Sequence, residues 1–286
     1  MRNLLKPILL DELLKGINHS FLNNHSSIEI KFVGALNEDK NGMLTFSKEN
    51  ISSNNLNAII FSPKGSLDLP SIIKVNNPRL SFSLALKYIE NNIGFENIYS
   101  ESISSDLSFG KNLILGKGVR IGKNVKIGNN VVINDFVEIG NNCVIKSGSI
   151  IGEDGFGFEK DKDSTPIRFP HIGNVLIEDN VEIGSFVTIN RGTLGTTTIK
   201  KNVKIDDHVH VAHNVKICEN SLICAGVVIG GSCLIGKRCW LGLNSTIHQK
   251  VIISDDATVG IGANVFKSIK EGITVTGFPS KNVPKI

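Results

Sequence analysis

The sequence predicts a mainly β protein, a parallel β-helix of six-residue repeats preceded by a small α/β domain. Three observations predict it. Counted in sixes from Ile103 to Ile151, from Ile177 to Ile189 and from Ile199 to Val265, all 24 positions are Ile, Val, Leu or Phe. With 41% of residues apolar, chance gives this on the order of once in a billion trials. Eleven of the 24 are followed directly by glycine, as at Gly110, Gly116, Gly122, Gly230 and Gly236, and the first hundred residues lack the period.

One aliphatic in six is too sparse for an ordinary strand or an amphipathic helix. It fits short strands joined by sharp corners, with the aliphatic pointing inward and a small residue easing the turn. Three such faces close a triangular coil, and each coil hydrogen-bonds to its neighbours as parallel strands, so the ends need covering. The boundaries that follow are 1–100 for the α/β domain, 101–269 for the β-helix and 270–286 for a C-terminal tail.

Within the first domain, IEIKFV, MLTFS, NAIIFS and SIIKVNN read as strands, and SFSLALKYIENNI reads as a helix with apolar residues at helical spacing. The opening MRNLLKPILLDELLKGI is interrupted by Lys6, Asp11, Glu12 and Lys15, so it reads as an amphipathic helix and not as a signal peptide. No apolar run approaches the ~18 residues that span a membrane. The net charge of +4 is spread along the chain, with no basic block to suit a nucleic acid. Five cysteines, Cys143, Cys218, Cys224, Cys233 and Cys239, are odd in number and the last four are spaced by 6, 9 and 6 residues. That follows the repeat and not metal-ligand spacing, and it predicts reduced thiols in a cytoplasmic protein.

Two insertions break the rhythm: residues 153–170, EDGFGFEKDKDSTPIRFP, with Phe156, Phe158 and Phe169, and residues 191–197, RGTLGTT. A regular solenoid needs neither, and long loops in compact folds often carry function. The densest polar stretch is Lys204 to Val215, which holds Asp206, Asp207, His208, His210, His213 and Asn214. Three readings stand open for it: a metal site, solvated polar residues on a coil, and general-base catalysis by a neutral imidazole.

The run IIGEDGFGFEKD, then RFPHIGNVLIEDNVEIGSFVTINRGTLGTTTIKKNVKIDDHVHVAHNVKI, resembles the core of the UDP-3-O-acylglucosamine N-acyltransferases. GMLTFS, NAIIFS and VNNPRLSFSLAL resemble the sugar-nucleotide-binding domain of that family. The resemblance implies a left-handed coil, a homotrimer with active sites in the grooves between neighbouring β-helices, and N-acyl transfer to a nucleotide-linked amino sugar. It makes the histidine of AHNV, His213, the catalytic base, with Asp206 as its associated aspartate and Asn214 in the same catalytic group. Phe46, Phe156, Phe158, Asn190 and Arg191 become the expected substrate-binding side chains.

Three departures move the expected substrates. Phe46 is followed by Glu49 and Ser52 where the family has an asparagine and a tyrosine that clamp uracil. Lys250 stands where the family has a second histidine, with His248 two residues away. The ending DDATVGIGANVFKSIKEGITVTGFPSKNV lacks the family's acyl-carrier-protein-binding helix and is similar to coenzyme-A-dependent sugar N-acetyltransferases. That similarity implies cofactor contacts from Gly231, Ala263, Lys267, Gly277, Pro279 and Lys281. The leading expectation is acyl-CoA as co-substrate, no metal, and a dTDP-linked amino-deoxysugar as acceptor. The alternatives are the UDP-3-O-acylglucosamine reaction with acyl carrier protein, and a non-catalytic or metal-bearing hexapeptide-repeat protein.

Overall fold

The structure is a computed structural model and describes residues 1–17, 28–53, 56–98 and 100–277. It divides into two compact units. The first holds Met1–Ile98 together with Phe156–Gly173 and Thr193–Gly195, and the second holds the rest of the described chain. Both insertions are thus recruited to the N-terminal unit, which a sequence boundary at residue 100 does not capture.

The first unit is a five-stranded sheet of β1 (Arg2–Leu9), β2 (Glu29–Val33), β3 (Met43–Phe46), β4 (Ile59–Pro63) and β5 (Ile72–Val75), in that spatial order. The β1/β2 pair is antiparallel and the others are parallel. Helices α1 (Leu10–Gly16) and α2 (Pro78–Asn92) complete it. The amphipathic helix expected at the N-terminus forms only from Leu10 onward. Arg2–Leu9 is extended and pairs with β2 across an irregularity between Asn3 and Ile8, which accommodates Pro7 without a ladder hydrogen bond. Helix α2 starts earlier than its apolar pattern, because the Asn77 side chain accepts from the Leu80 N–H at 3.0 Å and Pro78 fits the first turn.

The second unit is a parallel β-helix of three sheets with eight, nine and eight strands. We call them the first face (beginning Ser102–Ile103), the second face (Ser108–Phe109) and the third face (Ile114–Leu115), in chain order around one coil. The predicted aliphatics are buried from Ile121 onward, as Ile205, Val211 and Ile217 are in one coil, whereas in the first coil Ile103 and Phe109 are exposed. A second inward column, two residues before each aliphatic, escaped the sequence reading because it holds small residues of mixed type. Val203, Val209, Val215, Ser221, Val227, Cys233 and Cys239 belong to it. Cys143 sits there too, so three of the five cysteines are core-filling thiols.

The corners explain the glycines and a second pattern. A Cβ on Gly116 would lie 2.4 Å from the Asp135 backbone nitrogen of the next coil, so glycine there permits close stacking. Two residues on, the corner takes a positive φ. Nine described asparagines hold this place at φ between 53° and 63°, including Asn112, Asn124, Asn202, Asn214 and Asn220, consistent with asparagine's tolerance of the left-handed region. Between them lies an outward N–H, capped by a side chain of the next coil. Lys117 donates to Asp135 at 2.8 Å, Ser185 to Asp207 at 2.6 Å and Lys237 to Asp255 at 2.9 Å.

Ile217→Ala, at a fully buried position, is expected to lower stability by about 2–5 kcal/mol in a denaturant titration. Burial also pushes the thiols of Cys143, Cys233 and Cys239 up from their ordinary pKa. A thiol reagent at pH 8 should therefore label these three only as the protein unfolds.

Candidate functional site

The third-to-first corner gathers features that are scattered in sequence. The 18-residue insertion leaves the β-helix after the third-face strand Ile150–Glu153, and the shorter one leaves after Thr188–Asn190. His213 follows the next third-face strand, His210–Val211. The register pairs of Ile150 with Thr188 and Thr188 with His210 show that these are consecutive coils of one face. Gly231, then His248, Gln249 and Lys250, then Phe266 and Lys267, continue the same corner.

At its centre the His213 imidazole is half-buried over Gly231. A Cβ on Gly231 would lie 2.7 Å from Cε1 and 2.8 Å from Nε2 of that ring, so the absent side chain makes its seat. Backbone bonds hold the coils together here, with Ser232 donating to the His213 carbonyl and Lys250 to the Gly231 carbonyl, both at 2.9 Å. Among the described residues nothing accepts from the Gly231 N–H, although Gln249 stands where Asp135, Asp207 and Asp255 cap other corners.

One coil back, Arg191 is an anchor more than an open contact. Its Nε donates to the Gly152 carbonyl at 2.7 Å and lies 3.6 Å from an Asp154 carboxylate oxygen, with its side chain 15% exposed. It ties the exits of both insertions to the β-helix. Asn190 is half-buried beside it, paired in register with Glu153.

Asp206 lies elsewhere on the coil. It follows Lys204–Ile205 at the second-to-third corner, so the length of the third face separates it from His213 within one chain. The other candidates of the Lys204–Val215 run also have structural partners. Asp207 is a corner cap, His208 occupies a positive-φ place with its ring stacked on Phe186 at 5.4 Å, and His210 Nδ1 lies 2.7 Å from the Thr188 hydroxyl. Burial pulls the pKa of His210 below its ordinary 6.5. Among the described residues no group of three His, Cys, Asp or Glu stands close enough to hold a metal ion.

At the C-terminal end of the β-helix, a cavity of about 560 Å³ is lined by Ala263, Phe266, Lys267, Lys270 and Ile273, among others. Ala263 points into the core and offers only backbone, whereas the Lys267 side chain is exposed. Gly277 packs on this last coil, where a Cβ would sit 2.6 Å from the Ile261 carbonyl oxygen. Pro279 and Lys281 lie outside the described residues.

In the N-terminal unit, Phe46 is half-buried against Phe82 and Phe169, with ring centroids 5.2 and 6.1 Å away. The insertion forms a hairpin of Phe158–Lys160 with Pro166–Arg168. Phe156 is 87% exposed, its ring 4.9 Å from Phe158, and the Arg168 guanidinium covers the Phe158 ring at 4.8 Å. Arg79 stacks on Phe169 and pairs with Glu159, and burial lowers its pKa. Glu49 and Ser47 close a local turn through their own hydrogen bonds.

The class is set by the repeats. The family model for bacterial transferase hexapeptide (six repeats) matches residues 110–153 and 196–231, and that for the hexapeptide repeat of succinyl-transferase matches 234–267. The particular resemblance is to UDP-3-O-acylglucosamine N-acyltransferases. That of Caulobacter sp. (strain K31) is 38% identical over 146 residues, covering 51% of this chain and 43% of the relative. That of Wolinella succinogenes is 38% identical over 142 residues, covering 50% and 45%. The matches therefore span a little under half the length of these relatives. Among solved structures, the UDP-N-acetylglucosamine acyltransferase of Francisella novicida aligns with a TM-score of 0.52 at 26% identity over 62% of this chain and 65% of that one. The UDP-N-acetylglucosamine O-acyltransferase of Moraxella catarrhalis, at 22% identity and a TM-score of 0.52, shares the fold. No described helix is long and apolar enough to cross a membrane.

Because the folded state holds His210 neutral while the unfolded chain protonates near pH 6.5, stability should be full above that pH and fall as pH drops below it. His210→Gln keeps a partner for Thr188. It should flatten this loss when unfolding midpoints are compared at pH 7.5 and 5.5.

Proposed function

We propose that this chain is an N-acyltransferase acting on a nucleotide-linked amino sugar, with His213 as general base. The observation that carries it is the imidazole seated over a residue without a side chain, beside an N–H that no group among the described residues accepts. An amine attacks the acyl thioester carbonyl, and His213 Nε2 takes the proton the amine gives up. The carbonyl oxygen, now an oxyanion, accepts from the Gly231 N–H. The tetrahedral intermediate then collapses, the C–S bond breaks, and the imidazolium returns its proton to the departing thiolate. The product is an amide and a free thiol.

The names of the relatives favour a UDP-linked glucosamine as acceptor over the dTDP-linked amino-deoxysugar. The replacements Glu49 and Ser52 keep the dTDP sugar as the second reading. For the donor, exposed Lys267 and Lys270 beside the end cavity suit the phosphates of either acyl-CoA or the phosphopantetheine of an acyl carrier protein.

We further propose that the working form is a homotrimer packed on the third face. Its outward residues, among them Val132, Ile150, Thr188, His210, Val228 and Thr246, carry no formal charge in their unprotonated forms. The first face instead shows Arg120, Glu138 and Lys216, and the second Lys126, Glu182 and Lys204. Cyclic symmetry keeps equal heights together. Packing third faces around a threefold axis therefore sets the second-to-third corner of one copy beside the third-to-first corner of the next. Asp206 of the partner subunit then stands near His213, which one chain alone does not achieve.

Amine acylation would be assayed with acetyl-CoA, 3-hydroxyacyl-CoA or 3-hydroxyacyl carrier protein against UDP- and dTDP-amino sugars. His213→Ala should lower kcat/KM by ~10²-fold or more, and near-normal turnover would remove His213 from the role. Gly231→Ala should cost about 10²-fold by displacing the ring, with folding unchanged by circular dichroism. Val228→Lys should convert a trimer to monomers by native mass and abolish turnover.

A further inference from the structure

We infer that the stacked rings of Phe186 and His208 form a contact surface for the sugar ring of the acceptor. This inference rests on the amino-sugar reading and the trimer proposed above. Both residues occupy the left-handed turn place of the second-to-third corner, with φ of 54° and 59°. In the other coils Asn112, Asn130, Gly148, Gly226, Asn244 and Gly262 hold the same place. Those are the residue types that tolerate this backbone region, and two consecutive coils carry rings instead. A bulky side chain there raises the energy of the backbone. Burial offsets that cost at Phe136, which has a φ of 60° on another corner and is 6% exposed. It does not at Phe186, which is 60% exposed, nor at His208, which is exposed as well.

The neighbouring coils make room for the pair. A Cβ on Gly148, one coil before, would lie 2.6 Å from the Phe186 ring, so glycine there lets the ring settle. His208 stacks on that ring, with centroids 5.4 Å apart and planes 4° from parallel. Phe186 belongs to the preceding coil and covers one face of the imidazole, so the other face is turned toward the next coil. Gly226 stands there without a side chain, and a Cβ on it would run into the Asn244 amide oxygen. The stack thus ends in a flat ring face with an amide above it. That pairing suits a group with an apolar C–H face and a rim of hydroxyls, which is the chemistry of a hexose. Its height matches the reaction. His208 shares a coil with His213, and Gly226 shares one with Gly231. A ring resting on the imidazole lies at the level of the base and of the Gly231 N–H. Around the threefold axis this corner stands beside the corner of the partner subunit that carries His213. The nucleobase of the acceptor, two phosphates away from the amine-bearing ring, is out of reach of that level.

Phe186→Asn and His208→Asn install the residue this turn prefers, so they separate binding from folding. Each should leave the thermal midpoint unchanged or raise it, and should keep the trimer by native mass. Titration calorimetry on the full-length protein would measure the binding of UDP-glucosamine, a dTDP-amino sugar, UDP and dTDP. Each variant should weaken the amino sugar that the wild type prefers by about 10-fold or more, with the affinity for the free nucleotide unchanged. In turnover the KM for that sugar should rise by the same factor, with kcat and the KM for the acyl donor little changed. Asn130→Gly, in the same turn place two coils before Phe186, is the control and should behave as the wild type does. A lower thermal midpoint in both variants would make the stack structural, and dissociation to monomers would make it a subunit contact. Either outcome overturns the proposal, as does an equal loss of affinity for the free nucleotide. A wild type that binds none of the amino sugars would overturn the acceptor reading and this inference with it. Sugar binding that both variants leave unchanged would overturn this inference alone.

Discussion

Each coil of the β-helix hydrogen-bonds to the next through backbone groups at a fixed register: Lys126 donates to the Cys143 carbonyl at 2.9 Å, and Ala212 donates to the Ile229 carbonyl at 3.0 Å. This stacking demands that corners pass within contact distance of one another, which admits glycine at Gly116 and left-handed asparagines two residues on. It also turns sequence distance into height. Residues one coil apart become neighbours, and a site can be assembled from positions 191, 213 and 231 with no long-range packing other than the ladder itself.

The same constraint separates the site from the core. Inward columns are filled by Ile, Val, Cys and Ser and are the same in kind along the β-helix, so they carry no chemistry. What differs from coil to coil is the corner: a capped N–H at Lys117 and Lys237, an open one at Gly231, an arginine folded back at Arg191. A Cβ at 231 would displace the His213 ring.

Much of the candidate site was legible beforehand, through different signals. His213 stood out by its resemblance and its crowding with Asp206 and His210, and Gly231 as a cofactor contact by the likeness of the ending to coenzyme-A-dependent sugar N-acetyltransferases. The partners of these residues were not legible. Asp207 and His208 look as reactive as His213 in a string of letters, yet one caps a corner and the other stacks on Phe186. Arg191 was expected to face substrate, and its Nε is held by the Gly152 carbonyl beside Asp154.

The sequence by itself determined the repeat, the three-faced coil and the break at the two insertions, because a buried aliphatic every six residues leaves the backbone few alternatives. It also located the strands of the first domain, apart from Arg2–Leu9, whose leucines fit a helix as well as a strand until pairing with Glu29–Val33 chose. Only the tertiary structure decided that both insertions and His213 leave from one corner, and that Asp206 lies at another. Height along a β-helix depends on the residues inserted between coils, and these shift the count by amounts that local patterns do not reveal.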